Sequence, residues 1–257
     1  MRSLPVLAWQ SAPYRRTWRL EVMSSFVQPM LYLLGLGIGV GALVDRNASA
    51  TDALGGLGYA AFVAPGLVMT TAMSLASNDS MWPVMSGLQW GRGYHAIAAT
   101  PLGSGEIVRA HLLWIWIRCG YSAAAVCAAL ACFSSTRSAG LPLMVPVAAL
   151  VGSAFAMPIM AFSVTAKMDG SFAAIQRFVV IPLFLFGGAF YPLDTMPTAV
   201  QWVAMAAPLW HGVVLARSFA SGGIDALPAL GHVAYLLAFA AAGAMVAERR
   251  LRRRLYP

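Results

Sequence analysis

The sequence predicts an all-α membrane protein that crosses the bilayer six times and turns back within the membrane after its fifth crossing. Three observations carry that prediction. Of 257 residues, 60% are hydrophobic and 10% charged, against about 25% charged in ordinary soluble domains, and the mean hydropathy is +0.72. Charge-free stretches recur at lengths suited to the hydrocarbon core, which takes about 20 apolar residues as helix. Basic residues gather at the ends of alternate stretches, as the positive-inside bias requires. The net charge of +8 is thus spread over segment ends, so nucleic acid is not an expected partner.

Residues 1–21 mix Arg2, Arg15, Arg16 and Arg19 with Trp9, Tyr14 and Trp18. That blend suits an N-terminal segment lying among cytoplasmic headgroups, ahead of a membrane domain over residues 22–257. A cleavable signal peptide is not expected, because the first charge-free run long enough to insert begins at Val22. Span 1 extends from about Val22 to Val44. In it Gly35, Gly37, Gly39 and Gly41 form two overlapping pairs four residues apart, which admit close helix approach within the subunit or to a second one.

Span 2 covers about Gly55 to Ser77, with a kink expected at Pro65-Gly66. The stretch from Ser80 to His111 is too polar and glycine-rich to span and is expected as one or two short cytoplasmic helices. Gly103 to Glu106 has the form of a cap and opening turn. Span 3, about Ile107 to Phe133, contains Arg118. A charge at membrane depth costs about 2.5 kcal/mol or more, so Arg118 must either meet an anionic substrate group or snorkel to the cytoplasmic interface. Span 4 is about Pro142 to Thr165. A turn at Lys167, Asp169 and Gly170 follows, then span 5 from about Phe172 to Phe190. Span 6, about Ala226 to Ala247, follows a polar turn at Gly222-Gly223-Ile224-Asp225 and ends in Glu248 to Arg254, with five arginines.

Between spans 5 and 6, Thr195 to Ala216 is uncharged for 22 residues, long enough to cross. Its content argues otherwise: Pro197 and Pro208 each remove a helix hydrogen-bond donor that lipid cannot replace. Two short helices dipping into one face, over about residues 191–216, fit better. Charge placement decides the matter. With six spans and both termini inside, the cytoplasm receives thirteen of the 17 basic residues and the outside three (Arg46, Arg137 and Arg217), leaving Arg118 in the membrane. A seventh span would strand the C-terminal arginines outside.

The chain is not expected to be an enzyme. Its one lysine, Lys167, precedes Met168 and follows no glycine-rich loop, so a phosphate loop is excluded. Neither His95, His111, His211 and His232 nor Cys119, Cys127 and Cys132 show metal-ligand spacing. The histidines read as interfacial polar residues and the cysteines as small packing residues. No catalytic residue, metal or cofactor of its own is expected. A membrane-embedded lipid-modifying enzyme would need clustered acidic or histidine residues. A scaffold that transports nothing would not need proline-broken re-entrant helices.

Four stretches resemble the type-2 ABC exporter permeases, of the nodulation-factor and daunorubicin-resistance kinds. They are QPMLYLLGLGIGVG, YAAFVAPGLVMTTAM, ATPLGSGEIVRAHL and FGGAFYPLDTMP. The last meets the pattern G-x-x-[FY]-P-x-[DE]-x-[LM]-P through Gly188, Tyr191, Pro192, Asp194, Met196 and Pro197. The resemblance implies a multi-pass bacterial plasma-membrane subunit with an N-terminal interfacial helix and an external re-entrant hairpin. It implies a coupling helix within Ser86 to Thr100, in a region of about residues 80–106, where Trp90, Arg92, Tyr94 and His95 touch an ABC ATPase. ATP and magnesium would belong to that partner chain. A second permease, the same or related, would complete the assembly in membrane lipid. The external gate would include Phe190, Tyr191, Pro192, Asp194 and Pro197. Met69, Met73, Arg118 and Phe186 would line a path for an amphipathic drug, lipid or glycolipid.

Overall fold

The computed structural model describes residues 3–168, 170–223 and 225–256; of the residues read above, Arg2, Asp169 and Ile224 lie outside them. The described residues are helical and contain no strand. A short helix α1 (Leu4–Ser11) is followed by α2 (Tyr14–Val44), the loop helix α3 (Ala48–Ala53), α4 (Tyr59–Trp90) and the short α5 (Gly93–Ala98). Then come α6 (Ser104–Cys132), α7 (Leu141–Thr165), α8 (Gly170–Phe186), α9 (Thr198–Met205), α10 (Pro208–Ser221) and α11 (Ala226–Leu255).

Five of these, α2, α4, α6, α7 and α11, are long and apolar enough to cross a membrane. The geometry makes α8 the sixth. At one end Trp9 of α1 packs on Tyr94 of α5, and the Tyr256 hydroxyl, just past α11, donates to the Ala98 carbonyl. Both chain ends therefore share one end of the bundle, which requires an even number of crossings. At the opposite, distal end the Asp45 carboxylate accepts from the Tyr59 N–H at 2.8 Å, opening α4. There too the Ser138 hydroxyl donates to the Ala220 carbonyl at 2.7 Å, which puts the end of α10 beside the start of α7. The chain leaves α8 and enters α11 at this distal end, so α9 and α10, bent by 83° to one another, enter and return on the same side. Pro197 and Pro208 sit at the starts of these two helices, where a missing N–H costs nothing.

Between Phe186 and the turn, residues 187–190 leave the helical conformation and are buried. Irregular backbone at membrane depth survives only inside protein. Here Arg217 of α10 supplies the missing donors: its Nη2 donates to the Ala189 carbonyl at 3.1 Å and its guanidinium covers the Phe62 ring at 3.6 Å. The sequence reading placed Arg217 among the residues at the end away from the termini, and there its side chain is folded onto the bundle.

Lipid offers no hydrophobic drive between helices, so close packing must hold them. The centre is α4 and α7, each with 72% of its apolar window buried; α2 and α11, with 18% and 17%, form the periphery. Small residues permit this, as where Gly243 of α11 faces Pro158 of α7 and a Cβ would lie 2.6 Å from the proline ring. The glycines of α2 divide by face. Gly37 and Gly41 pack against Ala60 and Tyr59, whereas Gly35 and Gly39 have nothing within 4 Å. The last carbonyls of α7, orphaned by helix geometry, are capped from α11: Arg250 donates to Ala161 at 3.1 Å, and Arg254 to Val164 and Ala166.

Two of the boundaries that differ from the sequence reading involve charged residues inside the bundle. Helix α4 continues through Asn78 and Asp79 to Trp90, so only Gly93–Ala98 remains a separate short helix. Similarly, α2 begins at Tyr14 and takes in Glu21. Both carboxylates meet a counter-charge inside the bundle, described next.

Candidate functional site

Arg118 of α6 is 6% exposed in its side chain and forms ion pairs with two other helices. Its Nη2 donates to Asp79 Oδ1 of α4 at 3.2 Å and to Glu21 Oε2 of α2 at 3.1 Å. Its Nε lies 3.0 Å from Asp79 Oδ2, close enough for charge attraction but out of line for a hydrogen bond. The guanidinium covers the Tyr14 ring at 4.4 Å, and the Tyr14 and Tyr121 hydroxyls are hydrogen-bonded. Arg118 therefore does not snorkel; the carboxylates come to it. In the sequence, spans 1 and 2 were bounded by the residues beside Glu21 and Asp79, so both carboxylates were read as outside the membrane. The signal that would have found them is the need of Arg118 for a counter-charge one helix away.

This triad lies at the edge of a cavity of about 340 Å³ between α2, α4, α6 and α8. Its wall includes Gln28, Thr71, Asn78, Asp79, Trp82 and Phe184. Of the residues expected along a path, only Arg118 lines this space. Met69 and Met73 are fully buried in the α4 core, with Met69 beside Gly212 of α10. Phe186 is exposed and borders a smaller apolar cleft between α8 and α9.

At the end carrying the termini, Trp90, Arg92 and His95 are exposed, and Arg92 takes a left-handed φ of 47° to turn the chain into α5. Tyr94 points the other way. It is buried, accepts a hydrogen bond from Gln10 of α1 at 3.4 Å, and lies against Gly87. Burial pushes its phenol up to about 12, against a smaller opposing effect of Gln10, so it is a neutral anchor. Gln89 ties the same turn to the Ala166 carbonyl of α7 at 2.9 Å. The short helix is thus joined to α1, α7 and α11.

The distal turn holds Phe190 inside, 5.0 Å from Phe184, with Tyr191 and Asp194 exposed. Pro192 leads into a single 3-10 turn at Leu193–Thr195, and Pro197 stands just before α9. Two histidines distant in sequence meet here: His211 Nδ1 and His232 Nδ1 are 2.7 Å apart, with the His211 ring stacked on Tyr235. His111 is buried and paired with the Ser80 hydroxyl at 3.0 Å instead of lying at an interface. Cys119 and Cys127 are buried and Cys132 exposed.

A helical bundle with a proline-bounded hairpin on one face, a short helix locked into the other and a polar cavity between spans is the architecture of a multi-pass membrane protein. The sequence profile of the ABC-2 type transporter family matches residues 6–219, and the chain belongs to that family. It is 29% identical over 249 residues to Nodulation protein J of Rhizobium leguminosarum bv. viciae, covering 97% of this chain and 91% of that protein. To Nodulation protein J of Rhizobium meliloti (strain 1021) it is 28% identical over 264 residues, covering 99% and 97%. That of Azorhizobium caulinodans is 22% identical over 200 residues, covering 78% and 76%. No solved structure matches.

Proposed function

We propose that the chain is the membrane subunit of an ATP-driven bacterial exporter whose ATP and magnesium sites lie on a separate ABC ATPase chain. Its substrate class is an amphipathic drug, lipid or glycolipid, and a second permease, the same or related, completes the pathway. Both termini lie in the cytoplasm and the hairpin opens outside the plasma membrane. The observation that carries this reading is the placement of α5. Trp90 and Arg92, just before it, and His95 within it are exposed, while Tyr94 and Gln89 fasten the same turn to α1 and to the end of α7. A partner that grips the exposed side moves the bundle, and the nucleotide's different affinity for two such states supplies the work. Phe190, Tyr191, Pro192, Asp194 and Pro197 then form the external gate.

The purified chain alone is expected to hydrolyse no ATP, and co-expression with its ATPase to restore vanadate-sensitive turnover. Arg92→Ala is expected to lower that coupled rate several-fold without lowering membrane insertion. Hydrolysis by the chain alone refutes the reading, and an unchanged rate in Arg92→Ala moves the contact elsewhere. Orientation has its own test in a Cys132→Ser background. A cysteine at Thr195 should react with an impermeant maleimide on whole cells, and one at Arg253 only after lysis; the reverse pattern inverts the proposed topology.

A further inference from the structure

We infer that the apolar groove between α7 and α11 holds an anionic phospholipid of the leaflet at the end carrying the termini, with an acyl chain in the groove and the phosphate at Arg250. The groove, about 290 Å³, is lined by Pro158 and Ala161 of α7 and by Phe239, Gly243, Val246 and Arg250 of α11. The two helices meet closely where Gly243 faces Pro158, while Phe239 and Val246 are 38% and 40% exposed. From Arg250 to Phe239 the helix rises about 16 Å, and half of the hydrocarbon core is about 15 Å. The groove thus runs from headgroup level to the bilayer centre. Spread along that length, its volume gives a channel about 5 Å wide, too narrow for a helix of about 10 Å and suited to one hydrocarbon chain. It shares Pro158 and Phe239 with a second apolar cleft, about 510 Å³, between α7, α8, α11 and the hairpin, so the inner end of the chain stays in apolar surroundings.

The headgroup class follows from the charge at the groove's end. Arg250 is exposed and donates one N–H to the Ala161 carbonyl at 3.1 Å, which leaves four of a guanidinium's five donors. Among the described residues no carboxylate pairs with it. Arg253 follows one turn later on the same side of the helix, and Arg249 precedes Arg250; both are exposed. Glu248, the one acid of α11, lies against α6 instead, where a Cβ on Gly105 would meet its carboxylate at 2.9 Å. A phosphodiester offers two oxygens to a guanidinium fork. The positive charge beside it favours a headgroup of net negative charge over one whose choline restores neutrality.

The test uses the purified chain in dodecyl maltoside, with radiolabelled dioleoyl phosphatidylglycerol as the probe. Unlabelled dioleoyl phosphatidylglycerol is expected to displace it at a mole fraction about tenfold lower than dioleoyl phosphatidylcholine, which has the same chains and phosphate. Glycerol 3-phosphate, which has no chain, is expected to displace none. Arg250→Gln should weaken binding about fivefold. Ala242→Phe, which fills the groove from α11 and leaves every arginine in place, should weaken it at least as much, with unchanged elution and melting in lipid-free detergent. Displacement by phosphatidylcholine as good as by phosphatidylglycerol, or by glycerol 3-phosphate, overturns the inference. So does wild-type binding by Arg250→Gln or Ala242→Phe, either of which decides the matter where the other does not fold. A chain that binds no phosphatidylglycerol and elutes as a dimer dispersed by Ala242→Phe also overturns it and gives the groove to a second copy. Neither ATPase coupling nor the orientation of the chain enters these readings, so failure here and failure of the transport reading are distinguishable.

Discussion

Arg118→Met is expected to unfold the bundle or prevent its accumulation. The substitution keeps much of the side-chain length but removes the charge that Asp79 and Glu21 meet within hydrogen-bonding distance. Breaking a buried pair by deleting one partner costs about 3–5 kcal/mol, because the remaining charge has no counterpart in a low-dielectric surrounding. Natural proteins hold only about 5–15 kcal/mol in reserve. The melting temperature of the detergent-solubilised chain should fall sharply in Arg118→Met and recover in part in Arg118→Met with Asp79→Asn, which also removes the more buried of the two carboxylates that had faced Arg118. Arg118→Lys should fall between, since a single ammonium cannot reproduce a guanidinium's reach to two carboxylates. A single variant that melts with the wild type would show that the triad does not hold the three helices.

Gly66→Ala should destabilise the hairpin side of the molecule, although alanine is the better helix former. A Cβ at Gly66 would lie 2.8 Å from both Cα and O of Ala189. Those are backbone atoms of the buried non-helical segment, held in turn by Arg217, so neither side can yield by a rotamer change. Overpacking of this kind costs about 1–3 kcal/mol. The control is Gly120 in the middle of α6, which has nothing within 4 Å; there the same substitution should be neutral or raise stability by up to about 1 kcal/mol. Opposite signs in the two melting curves are the expected result. Equal signs would mean that α4 and the segment before the distal turn are not in contact.

The crossings, the hairpin and the end of the bundle shared by the termini were legible in the sequence because lipid acts on residues one at a time. Each buried charge and each unpaired N–H carries its own cost, so charge-free runs mark spans and prolines mark helix ends. The glycine series of α2 and the cap at Gly103 to Glu106 were readable on the same local grounds, and the Glu106 carboxylate does accept from the Gly103 N–H at 2.9 Å. The inward turn of Tyr94 was not, because an aromatic on a six-residue helix carries no mark of which neighbour will cover it.

What only the tertiary structure decided is which charges are absent from the lipid's account. Glu21 and Asp79 look like the end of a span when each is read alone, and Arg118 looks like a residue in need of an exit. Brought together from positions 97 and 39 residues away, the carboxylates give Arg118 its counter-charge inside the bundle, and two helices run past their apparent limits. The sequence determined by itself how many times this chain crosses, since that depends on transfer costs that add residue by residue. The cavity and its chemistry depend on pair interactions across helices, which no single segment encodes.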